Sequence, residues 1–175
     1  ALFEASSKMK KNLVWDIPVR LFHWLLVLCL FGHWLTAGVL EDAMNIHFYT
    51  GYFTLGLIIF RLIWGVVGSK YAKFNSFIAG PKTMLAYLSS LTSKQHVLSV
   101  GHNSVGGLIL PAVIILVGLQ AISGLFTTDD IVYSGPYYAN ANTDLQECMQ
   151  WLHHNIFDLL LAIIGVHLIA IGWYL

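Results

Sequence analysis

Four histidines carry the most informative spacing in the chain. His153 and His167 lie 14 residues apart in the apolar stretch WLHHNIFDLLLAIIGVHL. On a helix that separation is about 1400°, some 40° short of four full turns, so both imidazoles share one face about 21 Å apart. His154 is 13 residues from His167, about 220° round the helix, and points elsewhere. Two ligands so far apart suit two sites, one near each end of a helix. Each site then needs a second imidazole at its own depth. His23 opens one apolar segment and His47 opens another, and the set closes as His23 with His167 and His47 with His153.

An imidazole in hydrocarbon costs about 2–7 kcal/mol without a partner, and ionisable groups inside apolar spans are functional hypotheses by default. The plainer alternative is a hydrogen bond to a neighbouring helix. Zinc would ask for four ligands, or three and a water, and the spans add only Asp158. Haem iron takes its equatorial nitrogens from the porphyrin and needs only two axial donors. There is no C-x-x-C-H, so the expectation is two non-covalent haems, each held by two histidines.

His33 is the rival to His47. It lies ten residues after His23, about 15 Å further along the helix and about 80° off its face. His102, in GHNS, fits a haem propionate, a quinone or a helix cap; His96 reads as a solvated loop residue and His154 as facing the outer loop. Arg20 and Arg61 could grip a propionate through paired N–H donors or anchor helix ends to lipid headgroups. Trp24 and Trp64 read as interfacial belt residues. Gly51, Gly106, Gly107, Gly118 and Gly124 either make room for a macrocycle or let helices approach closely.

The elements that must hold these groups are membrane spans. The 175 residues are 57% hydrophobic and 10% charged, against about 25% charged in soluble domains, and mean hydropathy is +0.70. Four apolar segments, Leu21–Leu40, Phe48–Val67, Gly106–Leu125 and Ile156–Leu175, each approach the ~20 residues that cross a bilayer. The expected architecture is all-α: an integral membrane four-helix bundle with spans near 19–40, 47–68, 102–126 and 152–175. The first span is too long and too rich in histidine for a signal peptide. Residues 1–8 read as an extension ahead of a start at Met9.

All nine Lys and Arg lie before the first span, at the end of the second, or in the 69–101 loop. The other two connections hold Glu41, Asp42, Asp129, Asp130, Asp144 and Glu147 and no base. The positive-inside rule then places both termini in the cytoplasm. The short connection near Glu41–Asn45 makes the first two helices antiparallel neighbours. Within 69–101, PKTMLAYLSSL reads as a helix on the membrane surface. The polar 127–150 loop can cover a site or meet a partner. Cys29 and Cys148 lie at different depths and cannot form a disulfide. No basic, aromatic-interleaved patch of the nucleic-acid-binding kind is present.

These residues also resemble a known family, the bacterial cytochrome b561 and Ni,Fe-hydrogenase b-type cytochrome superfamily. The matching stretches are VWDIPVRLFHW at 14–24, HFYTGYFTLGLIIFRLIWGVVGSKYAKFNSF at 47–77, GHNSVGGL at 101–108 and the H-x13-H of 153–167. The resemblance implies a four-helix subunit of the bacterial inner membrane with two b haems on His23, His47, His153 and His167. It implies electron transfer between the quinone pool and a periplasmic partner, such as a c-type cytochrome or a hydrogenase, and leaves room for a homodimer. Some members of that superfamily oxidise superoxide and reduce quinone; the acidic outer connections here would repel such an anion. A haem-free proton relay or transporter is the third reading of the histidines.

Overall fold

The structure, a computed structural model, describes residues 16–40, 43–76 and 106–174. Helix α1 spans Ile17–Gly38, α2 Met44–Val67, α3 Gly106–Gly124 and α4 Thr143–Tyr174. Short 3-10 turns lie at Phe74–Ser76 and Tyr138–Asn140. Among the described residues there is no strand, only an isolated bridge between Thr128 and Ser134. The surface helix expected at 81–91, His96, His102, Glu41 and Asp42 lie outside the described residues.

Helix α1 starts where Asp16 accepts a hydrogen bond from the Val19 amide at 3.0 Å, with Pro18 in the first turn. That cap satisfies one of the orphan donors of the helix start. The same carboxylate accepts from Trp64 Nε1 at 3.0 Å and from the Ser69 hydroxyl. One acidic side chain therefore ties the start of α1 to the end of α2. Trp64, expected as a belt residue, is committed to this junction, while Trp24 is exposed.

Beyond α2 the chain doubles back, and the Phe74 ring lies against Gly65, where any Cβ would collide with it. Pro111 lies inside α3. Helix α4 begins at Thr143, nine residues before the expected span start, where Asn142 Oδ1 accepts from Leu145 N at 2.9 Å. Leu145, Cys148, Met149 and Leu152 continue its helical apolar pattern into a stretch whose polar residues read as loop. At 32 residues, α4 is about 48 Å long.

The principal contacts run between consecutive helices: α1 on α2, α2 on α3, α3 on α4. One seam of buried side chains fills the interior: Phe22, Leu26 and Cys29 from α1, Leu57 and Ile58 from α2, Ile114 and Val117 from α3, Ile156 and Leu160 from α4. The outward faces are no more polar: Leu21, Leu28, Phe53, Ile63, Ile115 and Ile169 are all exposed. Helices apolar all round belong in a lipid environment. α1, α2 and α4 are each long and apolar enough to cross a membrane, and 109–124 of α3 forms a shorter apolar helix.

Candidate functional site

Three imidazoles converge near the α1–α2 connection. The rings of His33 and His47 lie 4.9 Å apart between centroids, and those of His47 and His153 6.2 Å apart. They border a cavity of about 440 Å³ whose wall also includes Gly51, Gln120 and Gly124. His154 is exposed, with its Nδ1 on the Gln150 carbonyl at 2.8 Å. His153 is half-buried and faces α3, and both side chains border the cavity.

The glycines sort by what surrounds them. A Cβ at Gly124 would stand 2.9 Å from His153 Cε1, so this residue is small to admit the ring. A Cβ at Gly118 would meet Ile58 Cγ2 at 3.6 Å, an ordinary packing contact. At Gly51 the neighbour would be His33 Cε1 at 3.9 Å.

Hydroxyls set the tautomers. Thr36 donates its own proton to the Gly32 carbonyl at 2.8 Å, so its oxygen is left to accept from His47 Nδ1–H at 3.0 Å. Ser123 donates to the Gln120 carbonyl at 3.0 Å and accepts from His153 Nδ1–H at 3.1 Å. The Gln120 carbonyl is a second acceptor for that N–H at 3.0 Å, and the His33 carbonyl lies near the His47 ring without a hydrogen bond of that geometry. With the proton on Nδ1, each Nε2 keeps its lone pair. His33 differs. Thr50 spends its proton on the Ile46 carbonyl at 2.8 Å and accepts from His33 Nδ1–H at 3.4 Å, while Thr54 donates to His33 Nε2 at 3.1 Å. Both its ring nitrogens are engaged.

The other expected pair is less enclosed. His23 and His167 are exposed on α1 and α4 and interact electrostatically. His23 stands edge-on to Trp24 with centroids 5.6 Å apart. Among the described residues neither has a hydrogen-bond partner. Arg20 is exposed, whereas Arg61 is only 1% exposed. Its guanidinium lies 4.8 Å over the Phe74 ring, and its Nε and Nη1 have no hydrogen-bond partner among the described residues. The Asp16 carboxylate acts on it electrostatically. Arg61 follows His47 by 14 residues, so it repeats on α2 the spacing that relates His153 to His167 on α4.

Sequence reasoning missed Thr36, Thr50, Thr54 and Ser123. The available signal was the need of any hydroxyl in a lipid span for a partner across helices.

A family model described as prokaryotic cytochrome b561 matches residues 14–174. The chain belongs to the prokaryotic cytochrome b561 family. No curated protein and no solved structure matches it. As a prokaryotic cytochrome b561, it is a membrane-embedded b-type cytochrome of electron transfer, in a family that binds haem b. The residues present fit such a group at the His47–His153 cluster. His47 and His153 border the cavity with ring centroids 6.2 Å apart, and their imidazoles would hold a haem iron through Nε2. Among the described residues no group of three or more His, Cys, Asp or Glu is placed to hold a metal by itself.

Proposed function

We propose that this cytochrome b561 binds two haems b and transfers electrons across the bacterial inner membrane, between the quinone pool and a periplasmic redox partner. In this reading the spans lie near the four helices, with both termini cytoplasmic. His47 and His153 are the axial ligands of the outer site, and His23 and His167 those of the inner site. The observation that carries it is the His47–His153 pair, 6.2 Å apart with both Nδ1 edges turned away to hydroxyls. His33 yields to His47 because Thr50 and Thr54 occupy both of its ring nitrogens.

The haem supplies one-electron chemistry when bound. The chain's own residues do the rest. Four imidazoles fix position and orientation, and the seam from Phe22 to Leu160 gives the low-dielectric setting. Arg61, with two N–H donors lacking partners among the described residues, suits a carboxylate, and a haem propionate is one. Arg20 is the exposed candidate for a propionate or a quinone at the cytoplasmic side, with His102 beside it in the sequence reading.

The outer face is acidic. Asp129 Oδ1 accepts from the amides of Ile131, Val132 and Tyr133 at 3.0, 3.0 and 2.8 Å. Those bonds, that of Ile131 foremost, hold its carboxyl below the usual range and keep the charge at the cavity rim. This favours a basic protein over the superoxide anion as the outer partner. A redox titration of the visible spectrum tests the proposal. Two b-type components of distinct potential are expected; a protein without a Soret band that shifts on reduction would sink it.

A further inference from the structure

The two helices that supply no ligand to the outer site each bring the same device to it. On α1, Thr36 lies three residues after His33; on α3, Ser123 lies three residues after Gln120. In both, a buried hydroxyl sits beside the carbonyl three residues earlier, at 3.3 Å on α1 and 3.0 Å on α3. An imidazole from the facing helix presses its Nδ1–H into that corner. Thr36 is 6% exposed and Ser123 1%, so water does not compete for these bonds.

We propose that Thr36 and Ser123 are positioning residues of the outer site, whose hydroxyls fix His47 and His153 in the tautomer that leaves both Nε2 lone pairs for iron. The inference rests on the outer-site reading above and adds to it the residues that make those ligands competent.

A free imidazole shares its proton between two nitrogens, and the Nε2–H form cannot bind a metal through Nε2. Because each hydroxyl has already given its proton to a backbone carbonyl, it can only accept, and acceptance selects Nδ1–H. The hydrogen bond also holds the ring's rotation and makes the distal nitrogen more basic. The two corners differ in redundancy. His153 Nδ1–H has the Gln120 carbonyl at 3.0 Å in good geometry besides Ser123, whereas at His47 Nδ1 the direct hydrogen bond of good geometry is that to Thr36, with the His33 carbonyl nearby but not so aligned. Thr36 is therefore the more consequential of the two.

The test uses purified, haem-loaded protein carrying Thr36→Val, Thr36→Ser or Ser123→Ala, with His153→Ala to identify the outer component. Thr36→Val keeps the shape and removes the acceptor. It is expected to weaken haem retention at the outer site about ten- to a hundredfold and to raise that haem's midpoint potential, leaving the inner component in place. Thr36→Ser restores both readouts, and Ser123→Ala gives the smaller change in the same direction. Unchanged retention and potential in Thr36→Val would overturn the inference. So would equal displacement of both haems, or a Thr36→Ser protein that behaves like Thr36→Val. A wild-type protein lacking a second haem would instead overturn the dihaem reading, a result distinct from all of these.

Discussion

Gly124 on α3 gives up a side chain so that the Cε1 edge of His153 on α4 can approach the backbone: a Cβ at Gly124 would stand 2.9 Å from Cε1 of the ring. The ring cannot swing aside cheaply, since its Nδ1 is tied to Ser123 and Gln120. Gly124→Ala should therefore cost about 1–3 kcal/mol in overpacking and deplete the outer haem. Gly118→Ala, whose Cβ would meet Ile58 at 3.6 Å, should leave both haems in place. Pyridine haemochrome counts on the two purified variants make the comparison.

Removing one ligand at a time should separate the two sites. His167→Ala is expected to abolish the inner component of the reduced-minus-oxidised spectrum and retain the outer, and His47→Ala the reverse. His33→Ala should keep both, at lower stability, because its ring bonds two threonines and is not needed as a donor to iron. A His33→Ala protein that loses the outer component while His47→Ala retains it would reverse the assignment on α1 and α2.

Arg61 carries a charge 1% exposed beneath the Phe74 ring. Arg61→Met preserves the stem and removes the donors. It should lower haem retention at the inner site, since a propionate there would lose its partner, while the outer site stays loaded. Arg61→Lys should recover only part, because a point charge does not reproduce the planar fork. Haem content resolved by redox titration gives the readout.

Asp16 offers a pH signature. Burial alone would raise its carboxyl, but hydrogen bonds from Ser69, Val19 and Trp64, with Arg61 nearby, outweigh that and hold it below the ordinary value of 3.8. A carboxyl more acidic in the folded chain than in the unfolded one stabilises above the unfolded value and loses its effect as pH falls through the folded value. Asn caps a helix about as well as Asp, so Asp16→Asn isolates the charge. The variant should unfold at lower temperature than wild type at pH 7, with the gap closing below about pH 4. Circular dichroism melts in detergent would record it.

The all-helical, lipid-directed character of the chain was legible in the sequence because lipid and helical period leave few alternatives. Four apolar runs have one use in a chain with so few charges, and a 14-residue interval fixes a shared face without tertiary knowledge. The start of α4 was not legible from hydropathy. Its first turns mix Asp144, Gln146 and Glu147 with apolar positions, and a window that searches for lipid-facing residues sees only the span. Thr36 and Ser123 were hidden for a different reason: they lie 11 and 30 residues from the imidazoles they hold, and only the helix pairing brings them there. Arg61 was ambiguous until Phe74 was seen folding back over it.

The order of helix packing bears on how the polypeptide survives its own synthesis. α4 leans mainly on α3, yet its two histidines reach toward α1 and α2. A bound tetrapyrrole at each depth would therefore rivet the last helix to the first two and close a bundle that is otherwise a chain of neighbours. Because anything that binds only the folded form adds to its stability by mass action, cellular abundance of the polypeptide should follow haem supply, with membrane proteases clearing copies made during scarcity.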